Sequence, residues 1–116
     1  MSALCHHTLL EYYRCDAAQL KRAPTVRKLL RAAVLEGGGK IVKTVFHNFN
    51  PYGVSGVIVI TESHVTIHTW PEHGYAAVDI FSCSGKLDHQ RIGHSLKRAL
   101  AARRVVRKAF SRGRPR

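Results

Sequence analysis

The junction Glu62-Ser63, with His64, His68 and Cys83 after it, gathers a hydroxyl nucleophile, two imidazoles and a thiol within about twenty residues of a 116-residue chain. Ser63 Oγ can attack the carbonyl of Glu62 to give an ester, provided that a donor steadies the tetrahedral oxyanion and a base manages the protons. Loss of the Ser63 α-proton then expels the Glu62 carboxylate. The dehydroalanine left behind tautomerises to an imine, which water converts to a pyruvoyl group and ammonia. The segment is rich in β-forming residues, and alternate side chains of a strand share a face. From His64 to Thr69 this puts His64, Thr66 and His68 on one side and Val65 and Ile67 on the other. A polar face backed by aliphatics suits the wall of a site.

The run ESHVTIHTWPEHGYAAVDIFSC, with FHNFNPYGVSGVIVIT upstream, resembles the small prokaryotic S-adenosylmethionine decarboxylases, pyruvoyl enzymes made as self-cleaving proenzymes. The likeness spans Leu4 to about Arg104. It implies that Ser63 is the precursor of the pyruvoyl cofactor and that the chain divides after Glu62 into 1–62 and 63–116. Ser55 and His68 then correspond to the serine and histidine implicated in processing, and Cys83 to the thiol that reprotonates the substrate carbanion. Phe49 would stack on the adenine and Glu72 would accept hydrogen bonds from the ribose hydroxyls. An aromatic face suits a flat purine, and a carboxylate suits a diol. A pyruvoyl ketone condenses with a substrate amine and draws electrons as CO2 leaves, the part pyridoxal phosphate plays elsewhere. The resemblance also implies a homodimer in which each active site draws on both protomers, and a product that feeds polyamine synthesis. Ser84 departs from the pattern, which more often has glycine after the cysteine.

Taken singly, each residue has an ordinary structural reading. Ser55 lies between glycines as a turn or bulge residue would, His68 suits a hydrogen-bonded core histidine, and Cys83 and Phe49 suit small and large core positions. Their joint occurrence with Glu62-Ser63 carries the functional reading. Other classes stay open. A pyruvoyl-dependent arginine or ornithine decarboxylase of the same fold family would keep the cleavage machinery and use Glu72 or Glu11 for the distal cation of its substrate. A zinc site from His64, His68, His73 and Cys83 has suitable ligand types, but histidines four apart converge on a helix, and this segment reads as strand.

The elements that must position these side chains alternate between strand and helix. Thr8 to Arg14 reads as a strand. Thr25 to Glu36 follows Pro24, carries Val26, Leu29, Leu30, Ala33 and Val34 at helical spacing, and stops at three glycines. Ile41 to Asn48 and Val54 to Thr61 read as strands around Asn50-Pro51-Tyr52-Gly53, and His64 to Trp70 pairs with Ala76 to Ser82 around Pro71-Glu72-His73-Gly74. A second amphipathic helix runs from about Asp88 to Arg103, and Val105 to Phe110 returns as an edge strand. Two helices on one face of a mostly antiparallel sheet make an α+β two-layer sandwich.

Composition bounds the function. The formal net charge is +12, yet residues 44–85 hold no Lys or Arg, while ten of the nineteen lie in 91–116. The excess therefore belongs to the second helix and a solvated tail from Ser111, and a non-catalytic nucleic-acid-binding paralogue is the less favoured alternative. Three cysteines without a CxxC argue against a disulfide framework and for a reducing, cytoplasmic setting. No apolar run reaches membrane-spanning length, and no signal-peptide core is evident.

Overall fold

The computed structural model describes residues 3–83 and 85–114. Ser84, the departure noted above, lies outside the described residues. Six strands and two helices follow in the order β1 (Cys5–Tyr13), α1 (Ala23–Glu36), β2 (Ile41–Asn48), β3 (Val54–Ile60), β4 (Ser63–Trp70), β5 (Tyr75–Ser82), α2 (His89–Ala99) and β6 (Arg104–Arg112). The strands form one sheet in the order β2-β3-β4-β5-β1-β6. Every neighbouring pair is antiparallel. The helices pack on each other and cover one face, α1 over β2 and β3 and α2 over β1. This is the two-layer α+β sandwich that the sequence implies.

Local chemistry explains the helices. Pro24 sits in the first turn of α1, where its missing N–H costs nothing. Val26, Leu30, Ala33 and Val34 form the buried stripe, and Gly37 and Gly38 end the helix. A Cβ on Gly37 would stand 2.5 Å from Ile92 Cγ1, so the bare backbone there lets the exit of α1 meet α2. Asp88 caps α2 by accepting the Arg91 N–H at 2.9 Å, and Lys97 and Arg98 in its last turn suit the negative end of the helix dipole. Ile92 and Leu96 are fully buried against a sheet face that includes Leu10, Ile67 and Ile80. Tyr12 reaches through this core and donates to the Gly93 carbonyl at 2.8 Å.

Several element ends differ from the sequence reading, and α1 starts at Ala23 rather than Thr25. β1 starts at Cys5 rather than Thr8. α2 stops at Ala99, short of Arg103, because Ala101 turns left-handed at φ 52° and the Arg103 N–H donates to the Tyr13 carbonyl, which launches β6. β6 continues to Arg112, so Ser111 and Arg112 are strand residues rather than tail. Arg112 lies 5.6 Å over the Phe81 ring and 3.1 Å from His7 Nδ1, and Arg104 lies 5.4 Å over Tyr13. Much of the basic excess thus lines an outer edge strand, where like charge discourages further strand addition.

Gly56 offers a test of the packing beside the site. A Cβ there would lie 2.1 Å from the Phe46 ring. Gly56→Ala should lower stability by about 1–3 kcal/mol as an overpacked position, and Phe46→Leu should recover much of that loss. Denaturant titration of the single and double variants checks it; equal losses in both backgrounds would remove Phe46 as the cause.

Candidate active site

β3 and β4 are joined by two residues, since Ile60 pairs with Ser63 and only Thr61 and Glu62 lie between. So short a link forces Glu62 to φ 58°, a left-handed conformation that costs a non-glycine residue about 1–2 kcal/mol. The Glu62 side chain is exposed and the Ser63 side chain is buried. Ser63 pairs with Ser82 across β4 and β5, and the Cys83 N–H donates to the Glu62 carbonyl at 3.3 Å. That carbonyl is the one Ser63 Oγ would attack. A donor is therefore in place where negative charge would develop. A cavity of about 530 Å³ opens at this end, lined by Gly39, Ile60, Glu62, Ser63 and Leu87 among others.

The alternation anticipated for β4 holds. Val65 and Ile67 are fully buried under the helices, while His64, Thr66 and His68 take the open face. Ser55 and His68 are cross-strand neighbours, with Ser55 Oγ 2.8 Å from His68 Nδ1. His47 lies on the other side of Ser55 in the same row. Phe49, 49% exposed, meets the His47 ring edge to face at 4.6 Å. Glu72 is exposed in the 3-10 turn Pro71–His73 at the same end of the sheet.

The seven candidate residues therefore fall into two clusters. Ser55, His68, Phe49 and Glu72 hold one end of the sheet, and Glu62, Ser63 and Cys83 the other. Ser63 and His68 are five residues apart on one strand, which at about 3.3 Å per residue is roughly 17 Å. They also face opposite sides of the sheet. One chain does not bring its Ser55-His68 pair to its own serine junction.

Cys83 carries the principal correction. It is disulfide-bonded to Cys5, with the two Cα atoms 3.9 Å apart. An odd cysteine count without CxxC pointed away from disulfides, but β1 lies beside β5 with His6 opposite Ser82, and one further step sets Cys5 against Cys83. Among the described residues no group of three or more His, Cys, Asp or Glu side chains is arranged to hold a metal. The zinc set His64, His68, His73 and Cys83 is not assembled.

Two features escaped the sequence reading. His89, the first residue of α2, places Nδ1 2.8 Å from Thr8 Oγ1 and Nε2 2.6 Å from Ser82 Oγ, directly behind the serine junction. Burial, then the nearby His6 and Arg107 charges, hold its pKa below the ordinary value. Tyr75 donates to Glu11 at the Ser55-His68 end of the open face, where Glu11, Ala77 and His68 share a row, and burial followed by that contact raises its pKa. The pairing of β1 with β5 brings Thr8 to His89 and Glu11 to Tyr75, and no local motif announces it.

A strained, nucleophile-bearing hairpin on a six-stranded antiparallel sheet, with a hydrogen-bonded serine-histidine pair on its open face, marks an enzyme of the decarboxylase proenzyme type. The comparisons with known proteins are specific. The sequence profile for "S-adenosylmethionine decarboxylase" matches residues 6–113, and the chain belongs to that family. A Thermotoga maritima protein described as an S-adenosylmethionine decarboxylase proenzyme is 46% identical over 114 residues, covering 98% of this chain and 88% of its own. One of the same description from Acetivibrio thermocellus is 43% identical, covering 97% and 91%. The crystal structure of the adenosylmethionine decarboxylase from Aquifex aeolicus superposes with a TM-score of 0.93 at 30% identity, over 100% of this chain and 96% of that one. Membership implies a lyase made as a zymogen, with a pyruvoyl cofactor. No helix among the described residues is long and apolar enough to cross a membrane.

His89 provides a pH test. Its pKa is lowered on folding from 6.5, so the unfolded chain takes up a proton first as pH falls. The stability conferred by the neutral ring is complete above about pH 6.5 and is lost as pH drops through the folded pKa. His89→Gln keeps a hydrogen-bonding side chain and removes the titration. Its melting temperature should fall less than the wild type's between pH 8 and pH 5; parallel falls would assign the pH dependence to other groups.

Proposed function

We propose that this chain is a self-processing S-adenosylmethionine decarboxylase, cut between Glu62 and Ser63, whose active site is completed by a second copy. The single observation that carries the reading is the left-handed Glu62, whose carbonyl already accepts the Cys83 N–H. The residue before the bond to be broken is held in strained backbone and the oxyanion donor is aimed. Ser63 Oγ adds to the Glu62 carbonyl, the Cys83 N–H steadies the oxyanion, and a Ser55-His68 pair manages the protons. The Ser63 nitrogen leaves as ammonia, and 63–116 begins with the pyruvoyl group. That group supplies the electron sink for decarboxylating an amino acid.

A homodimer accounts for the separation of the clusters. The helix-free face exposes Val45, Phe110 and Trp70 at 53%, 49% and 41%, an apolar surface that a small domain gains by covering. A two-fold axis lying between two such faces and crossing the strands sets the Ser55-His68 end of one copy over the Ser63-Cys83 end of the other. The Glu62-Ser63 junction is a turn at the end of the sheet, open to a pair arriving from the other face, and once cut Ser63 is a chain end free to turn from the helix side toward that partner. Phe49 then offers its exposed ring to the adenine and Glu72 its carboxylate to the ribose, contacts that favour the nucleoside substrate over arginine or ornithine. Cys83 returns the proton to the substrate carbon, which requires its thiol in reduced form, as a cytoplasmic setting provides. The product serves spermidine synthesis.

Intact-mass measurement should find 1–62 and 63–116 in wild-type protein without added protease, and one uncut chain in Ser63→Ala. Co-expression tests the shared site. Ser63→Ala and His68→Ala should each process poorly alone, whereas random mixing should restore cutting to about half of the His68→Ala chains, those in hybrid dimers. If mixing restores nothing, the shared site fails; if wild-type protein stays whole, the enzyme loses its cofactor. Phe49→Ala should cost about 1–3 kcal/mol of binding, on the scale of base stacking upon aromatics, and raise KM for S-adenosylmethionine. Labelled CO2 from arginine or ornithine but none from S-adenosylmethionine would reassign the substrate.

A further inference from the structure

We infer that Cys5 and Cys83 form a reversible redox modification site that switches the decarboxylase off by withholding the Cys83 thiol. The inference rests on the proton-returning role proposed for Cys83. The two cysteines are 78 residues apart in sequence, yet the β1–β5 register sets them side by side at one end of the open face. Both are half-buried, so small thiols can reach them. Cys5 is neither a core residue nor one of the hydrophobics packed against the core. Arg112 stands opposite Cys5 across β1 and β6, with its guanidinium over Phe81. The third cysteine is no competitor, because burial pushes the Cys15 thiol up to about 11.

The chemistry balances with a disulfide oxidant such as oxidised glutathione. One cysteine thiolate attacks a glutathione sulfur and releases glutathione thiolate. The second cysteine then attacks the mixed disulfide and releases another. Two protein thiols are oxidised, one glutathione disulfide is reduced to two thiols, and two electrons pass between them. In the oxidised protein Cys83 has no S–H to give, although its N–H still reaches Glu62. Processing is therefore spared and turnover is blocked. The bond also carries a mark of its own, since Cys5 lies in 1–62 and Cys83 in 63–116. Oxidation ties the two cleaved chains together covalently.

Processed wild-type protein and Cys5→Ser should be equilibrated in glutathione buffers of graded oxidation, then assayed for labelled CO2 release and run on non-reducing gels. Wild type should lose about 10²-fold or more of its turnover, the scale of a positioned proton donor, as its fragments become one band, and a dithiol should restore both. Cys5→Ser should hold its turnover throughout and stay as two bands. If Cys5→Ser loses turnover in parallel with wild type, or if no linked band forms at any ratio, the switch is overturned while the role of Cys83 stands. Reduced Cys83→Ala separates the two ideas: turnover at the wild-type rate would remove the proton-donor role itself, and the switch with it.

Discussion

Two residues between β3 and β4 govern the rest of the molecule. With Ile60 opposite Ser63, the chain has only Thr61 and Glu62 in which to reverse, so the register of the hairpin is fixed and Glu62 is pressed into left-handed backbone. A slip of one residue would turn Val65 and Ile67 out of the core and His64 and His68 into it, a loss no such core could absorb. The buried face of β4 therefore holds the turn in its strained state. Strain of this kind persists only where the surroundings over-determine it, and here it sits at the residue just before the bond proposed to break.

Charge follows the same division of labour. The hairpins that carry the site hold no Lys or Arg between residues 44 and 85, which suits their open face to the cationic substrate and the second copy proposed for it. The cations collect on α2 and on β6, the outer strand, where Arg104 and Arg112 lie over aromatic rings of the open face. A strongly basic chain thus keeps its cations out of the motif strands, though Arg104 and Arg112 reach over the open face from β6. The separation is spatial because β6 joins the sheet beside β1, not beside the motif strands.

Much of this was legible because it is local. Helical spacing from Val26 to Val34 with a glycine stop gave α1, Ile41–Asn48 was read to the residue, and the alternation along β4 gave the correct faces. What depended on distant pairing was not. Nothing near Ser111 or Arg112 says that they extend a strand; the facing stretch of β1 does. The hydrogen-bonded His89 and the bonded Cys5 both need β1 to lie next to β5, a pairing across most of the chain. The motif residues were found together in sequence, but a motif does not measure distance. An extended strand carries Ser63 and His68 apart, and a single chain cannot fold them back.

The strand order has a further consequence for the mature enzyme. The proposed cut after Glu62 would leave β1, β2 and β3 in one fragment and β4, β5 and β6 in the other, and in the sheet β1 lies clasped between β5 and β6 while β3 holds β4. The fragments interleave, so neither can depart without dismantling the sheet. Such a cut would change the connectivity of the chain and leave its architecture in place. It would also change the order of the folding reaction: an uncut chain assembles this sheet alone, at a rate indifferent to concentration, whereas two severed pieces must first meet. An uncut chain can unfold and recover by itself; once cut, its structure is a memory of a continuity it no longer has.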